Sequence, residues 1–178
     1  MLRRLWVGAM KRVYLLRHAK SSWKDRSLAD RDRPLAGRGR RAASAIADHL
    51  RAERVRPELV LCSPAQRARE TLERVEGALG DEVEVVFEEG LYGASEAGLL
   101  ALLRVLPREV STVLVIGHNP GLGGLALALA SEGTELARMR EKYPTAALAT
   151  IDVPADRWTA LGRGGGELVA YVRPRDLH

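Results

Sequence analysis

Short apolar runs at residues 13–16, 59–62 and 113–116 each end on a chemically loaded turn, and helical patterns fill the chain between them. Runs this short, with no polar alternation, read as strands buried on both faces. The first helical pattern carries Ala42, Ala43, Ile46, Ala47 and Leu50 at a spacing of three to four residues. The second follows Pro64, whose missing N–H is harmless in a first turn, and runs to about residue 78. Residues 83–87 predict another strand. Ser95 is a natural N-cap for a leucine-rich helix that Pro107 stops. An apolar helix is expected over 122–130, and the polar stretch 131–144 is expected to be irregular. Residues 146–153 and 168–172 predict two closing strands, and the short Gly-rich connection at 162–166 makes them antiparallel. This alternation predicts an α/β protein, a three-layer α/β/α stack around a mostly parallel sheet with an antiparallel edge.

A chain of 178 residues suits one such domain. We place it over 10–178, behind a ragged extension at residues 1–9 that is either a late-trimmed start or a surface tail. The extension's apolar part is too short for a secretory signal, and no stretch is long enough to span a membrane. Cys62 is the sole cysteine, so no disulfide can form within the chain. That suits a reducing, cytoplasmic setting. The formal charge is +5. Its arginines are dispersed, with no basic run and no interleaved aromatics, which weighs against nucleic acid as a partner and for a modest anion preference.

The turns carry the chemistry. Arg17-His18-Ala19 follows the first strand, Ser63-Pro64-Ala65-Gln66-Arg67 the second, and His118-Asn119-Pro120-Gly121 the strand at 113–116. Taken singly each has a plain structural reading: a packed histidine, a surface arginine, a turn histidine. A parallel sheet, however, gathers the carboxyl ends of its strands in one crevice. Two imidazoles and two guanidiniums meeting there would suit a phosphoryl group. Cys62 is separated from Arg67 by four residues, whereas a cysteine-phosphatase loop needs five. Two distant histidines flanked by arginines would repel a metal cation, so no metal or other cofactor is expected.

As an ordered set, Leu16-Arg17-His18-Ala19-Lys20-Ser21-Ser22-Trp23, Cys62-Ser63-Pro64-Ala65-Gln66-Arg67-Ala68-Arg69-Glu70-Thr71 and Gly117-His118-Asn119-Pro120-Gly121 resemble the histidine phosphatase, or phosphoglycerate mutase-like, superfamily. Asp32-Arg33-Pro34-Leu35 before Gly37-Arg38-Gly39 makes the resemblance greatest to compact SixA-type phosphohistidine phosphatases. It extends over about residues 10–173. The resemblance implies that His18 is a nucleophile that becomes phosphohistidine, and that Arg17, Arg67 and His118 complete a phosphate pocket without metal. It implies a general acid after the third strand, where Glu88 and Glu89 both stand; the register Glu89-Gly90-Leu91-Tyr92-Gly93 favours Glu89, and a P–N substrate could need neither. Lys24 and Asn119 are candidate substrate-binding residues, although Lys24 stands where the mutases carry asparagine. Only residues 91–94 separate Glu89 from the next helix, where larger relatives insert a capping segment. An open cleft of that kind suits a phosphorylated protein or a small phosphate ester. A noncatalytic phosphoprotein-binding module with the same pocket is the alternative from another class.

Overall fold

The computed structural model describes residues 8–177. Most of the extension expected at 1–9, and the terminal His178, lie outside them. Seven strands form one sheet: β1 (Met10–Arg17), β2 (Leu59–Cys62), β3 (Glu84–Phe87), β4 (Thr112–Gly117), β5 (Ala130–Glu132), β6 (Leu148–Pro154) and β7 (Gly166–Val172). Their order is β3-β2-β4-β1-β6-β7-β5. The first four in that order run parallel, β6 runs against both of its neighbours, and β5 pairs parallel with β7 at the far edge.

The apolar runs are fully buried because helices cover both faces. Val13 and Leu15, Leu59 and Leu61, and Val113 and Val115 enter one core. Their alternates, Tyr14 and Leu16, Val60 and Cys62, and Leu114 and Ile116, enter the other. Helices α1 (Gly37–Ala52) and α2 (Gln66–Val75) cover the second face. Helices α3 (Glu96–Arg104), α4 (Gly121–Leu129) and α5 (Leu136–Glu141) cover the first. Ser95 caps α3 by accepting a hydrogen bond from the Gly98 amide at 3.1 Å.

The stretch 131–144 is not irregular: it completes β5 and forms α5, which buries Leu136 and Met139 against the first core. Two apolar residues three apart are enough to seat one and a half turns once the neighbouring helix α4 is in place. Among the described residues no helix is long and apolar enough to cross a membrane.

Glycine is required where α4 begins. A Cβ on Gly121 would collide with the Ala94 carbonyl oxygen in the segment leading to α3. Gly121→Ala is expected to cost about 1–3 kcal/mol through overpacking. Urea unfolding of the variant, compared with Gly124→Ala where the contacts are ordinary, measures this; equal midpoints for the two would contradict it.

Candidate active site

Strand register sets the three turns level. Arg17 pairs with Gly117 across β1 and β4, and Cys62 pairs with Ile116 across β2 and β4. The next residues are tied by backbone bonds: the His18 amide donates to the Gly117 carbonyl and the Ser63 amide to the Ile116 carbonyl, both at 3.0 Å. His18, Ser63 and His118 therefore leave the sheet at one height. Arg67 joins them from the first turn of α2. The ring centroids of His18 and His118 lie 5.0 Å apart.

His18 is 7 % exposed. Its Nδ1 lies 2.8 Å from the Ala19 carbonyl oxygen. A carbonyl only accepts, so Nδ1 carries the proton and Nε2 keeps its lone pair. That lone pair faces Arg67, whose Nε donates to it at 3.3 Å. The Ala19 amide donates to Thr71 Oγ1 at 3.0 Å, and the Thr71 hydroxyl donates to the Arg67 carbonyl at 2.6 Å. This relay fixes the loop after β1 to the helix that carries Arg67.

Arg67 is the hub. Its Nη2 approaches His118 Nδ1 at 3.4 Å, Nη1 donates to the Asp30 carbonyl at 2.6 Å, and Nη2 donates to Asp30 Oδ2 at 3.0 Å. The opposite nitrogen of His118, Nε2, lies 2.7 Å from Ser63 Oγ. Tyr92 packs edge-on to His118, with centroids 5.6 Å apart, and its hydroxyl donates to Asp30 Oδ2 at 2.9 Å. Arg17 reaches the site from the other side. Its Nη1 donates to the Tyr143 carbonyl at 2.9 Å, while its buried Nε has no acceptor.

Burial first, and then the neighbouring cations, hold both imidazoles neutral. The His18 pKa falls to about 3, burial being opposed by the Ala19 carbonyl and reinforced by His118, Arg67 and Arg17. His118 falls to about 4 through burial and Arg67, with Asp30 pulling the other way. Burial works to raise the Asp30 carboxyl, but the Tyr92 hydroxyl and Arg67 outweigh it and hold the group below its usual value. The result is a preorganised, cation-rich pocket with a neutral imidazole nitrogen facing its centre.

Stability should report these shifts. In the unfolded chain an imidazole takes up its proton near pH 6.5. In the folded protein His18 and His118 resist it until about 3 and about 4. Their contribution is fully present above pH 6.5 and is lost as pH falls below it, at about 1.4 kcal/mol per pH unit for each histidine. Thermal unfolding between pH 7 and 5, above most carboxylate titrations, should show the Tm declining. A variant lacking both histidines should show a flatter curve; an unchanged slope would contradict this electrostatic account.

The remaining candidates lie further out. Glu89 is largely exposed and paired with Arg31 at 2.7 Å; the Arg31 hydrogen bond holds its carboxyl below the usual range. The Glu88 side chain accepts from the Gly90 amide at 2.9 Å, closing its own turn. Lys24 is exposed, and it is its backbone amide that bonds, to Ser22 Oγ at 3.2 Å. Asn119 is committed at both ends: Oδ1 accepts from the Gly123 amide at 3.0 Å, and Nδ2 donates to the Tyr143 carbonyl at 2.9 Å. That carbonyl also receives Arg17, so Asn119 braces the acceptor that orients the guanidinium. Trp23 stacks on Arg33, whose guanidinium carbon lies 3.2 Å from the ring centroid. Asp30, Tyr92 and the Tyr143 carbonyl are members of the site that the sequence reading did not assign. Among the described residues no group of three or more His, Cys, Asp or Glu side chains is placed to hold a metal ion.

The profile of the histidine phosphatase superfamily (branch 1) matches residues 13–95. Phosphohistidine phosphatase SixA of Escherichia coli is 33% identical over 143 residues, 78% of this chain and 83% of that one. The chain belongs to the histidine phosphatase superfamily. Its fold agrees with solved SixA structures. A putative phosphohistidine phosphatase SixA from Nakamurella multipartitia superposes with a TM-score of 0.79 at 29% identity, covering 94% of this chain and 98% of the other. The protein histidine phosphatase SixA complexed with tungstate superposes with a TM-score of 0.75 at 27% identity, covering 94% and 99%. Within this superfamily member, the turn Glu89–Leu91 is separated from α3 only by residues 92–95.

Proposed function

We propose that the protein is a metal-independent phosphatase that works in the cytoplasm through a phosphohistidine at His18, with phosphohistidine in proteins as its substrate. The carrying observation is the His18 Nδ1 bond to the Ala19 carbonyl, which leaves the Nε2 lone pair facing Arg67. In the first step Nε2 attacks phosphorus, a P–Nε2 bond forms, and the substrate's P–N bond breaks with its electron pair leaving on the substrate imidazole. Water then attacks the same phosphorus, the P–Nε2 bond breaks with its electron pair returning to Nε2, and the water protons leave on the departing phosphate, so that His18 is restored with Nδ1 protonated. Arg17 and Arg67 bear on the equatorial oxygens, where a forked donor is most effective. A bound dianion reverses the field on His118, which then becomes a charged donor to the phosphoryl group. The solved SixA complex contains tungstate, an oxyanion like phosphate, which supports an anion-binding reading of this fold. Cys62 supports a nonredox role: burial pushes its thiol up to about 12.

The leaving group decides what Glu89 does. An alkoxide must be protonated as it departs, whereas an imidazole whose second nitrogen is already protonated leaves neutral. Glu89 is the candidate proton donor for an ester, a role that requires it to be protonated against its pairing with Arg31, and it is dispensable for a P–N bond. The test is a panel of phosphohistidine peptide, sugar phosphates and phosphoglycerates in the presence of chelator, run on wild type and Glu89→Gln. Phosphohistidine should be hydrolysed with the highest kcat/KM and change by less than about threefold in the variant, while esters lose about tenfold or more. Preference for one small ester would replace the protein substrate with a phosphomonoesterase reading. Binding of phosphohistidine peptide without turnover of any substrate would leave a binding module.

A further inference from the structure

A second cationic feature adjoins the phosphate pocket, and apart from Arg17 its residues are not used by the chemistry above. A groove of about 490 Å³ is lined by Arg17, Lys20, Arg38, Lys142, Arg173 and Arg175, with Ala42, Pro144, Thr145 and Pro174 as the rest of its wall. Six of these ten residues are Lys or Arg, in a chain where Lys and Arg number 28 of 178. The basic residues come from separate places: the end of β1 and the loop after it, the start of α1, the residue after α5, and the turn after β7. Among the described residues no carboxylate lines the groove. Of the six, Arg173 is offset by Asp176 at 3.0 Å. Lys20, Arg38, Lys142 and Arg175 make no ion pair among the described residues. Gathering cations without counterions is unfavourable by mutual repulsion unless an anion offsets it.

Arg17 belongs to both the groove and the phosphate pocket, so whatever fills the groove lies beside the reacting phosphoryl group. The volume is too large for one inorganic ion. Among the described residues no aromatic side chain lines it, so they offer a nucleobase no stacking platform. Prolines and small side chains between the exposed cations Arg38, Lys142 and Arg175 and the less exposed Arg17, Lys20 and Arg173 suit an extended chain bearing carboxylates. Resting on the phosphatase reading, the geometry points to this groove as the docking site for an acidic polypeptide segment flanking the phosphorylated residue of the substrate.

The test separates docking from turnover. A fluorescent, unphosphorylated peptide carrying several glutamates is titrated by anisotropy into the full chain, alongside the same peptide with glutamines. The Arg38→Glu/Arg175→Glu double variant is measured in parallel. Both residues are exposed and stand outside the catalytic pocket. The glutamate peptide should bind at least about tenfold more tightly than the glutamine peptide. Its affinity should fall with salt, and it should fall about tenfold or more in the double variant. Hydrolysis of p-nitrophenyl phosphate by that variant should stay within about twofold of wild type, which also shows that it folds. Equal binding of the two peptides, or undiminished binding by the double variant, would overturn the proposal. So would tighter binding of a single-stranded oligonucleotide with the same dependence on Arg38 and Arg175. Failure of the phosphatase reading would appear separately, as an inactive wild type whose peptide binding is intact.

Discussion

His18→Ala is expected to reduce kcat for p-nitrophenyl phosphate by about a thousandfold or more, with chelator making no difference to wild type or variant. The size follows from what is removed. The Nε2 lone pair belongs to a neutral imidazole whose tautomer and direction are fixed through the Nδ1 bond to the Ala19 carbonyl. Without it, water must attack a phosphate held only by Arg17, Arg67 and His118. Binding should survive better than turnover. Removing an imidazole that is 7 % exposed takes away no charge, because the group is neutral at working pH. Inhibition by tungstate or phosphate binding by calorimetry should therefore persist in the variant. Comparable kcat values for the two proteins would remove His18 from the mechanism.

Arg67→Ala is the second large effect, about 100- to 1000-fold in kcat. Lysine should rescue little of it. The guanidinium uses Nε toward His18, Nη2 toward His118 and Asp30, and Nη1 toward the Asp30 carbonyl. A single ammonium cannot meet partners in so many directions. The loss has a second component. With Arg67 gone, the Asp30 carboxylate stands beside the phosphate pocket without its main cation and repels the substrate dianion. Arg67→Ala/Asp30→Asn should accordingly recover part of the KM while leaving kcat low, a departure from additivity that reports the coupling. If the double variant is as impaired in KM as Arg67→Ala, Asp30 has no electrostatic bearing on the pocket.

The strands that build the site were legible because β1, β2 and β4 are buried on both faces, which leaves continuous apolar runs. Their register follows from parallel pairing, so the meeting of His18, Arg67 and His118 could be anticipated from position alone. The segment holding β5 and α5 could not: a three-residue edge strand and a six-residue helix carry too few apolar residues to show a period. Asp30 was hidden for another reason. It sits in a charged loop with Asp25 and Asp32, and what singles it out is the tertiary approach of Arg67 and Tyr92. The Tyr143 carbonyl leaves no sequence trace at all, since any residue would offer that oxygen to Arg17 and Asn119. Register in the sequence favours Glu89 over Glu88, whereas its ion pair with Arg31 comes from the loop that also holds Asp30 and leaves no such trace.

The central claim is a covalent phosphoryl group on His18 Nε2. Wild-type protein mixed with radiolabelled aryl or histidyl phosphate and quenched in denaturant within a single turnover should retain label on the protein. The label should be stable to alkali and lost in acid, as a P–N bond requires, and should map to the peptide containing Arg17, His18 and Ala19. The same quench on Arg67→Ala, slowed but still carrying its nucleophile, should show a weaker signal at the same residue. Turnover by wild type with no protein-bound label at any quench time, or label mapping to His118 in place of His18, would contradict the account.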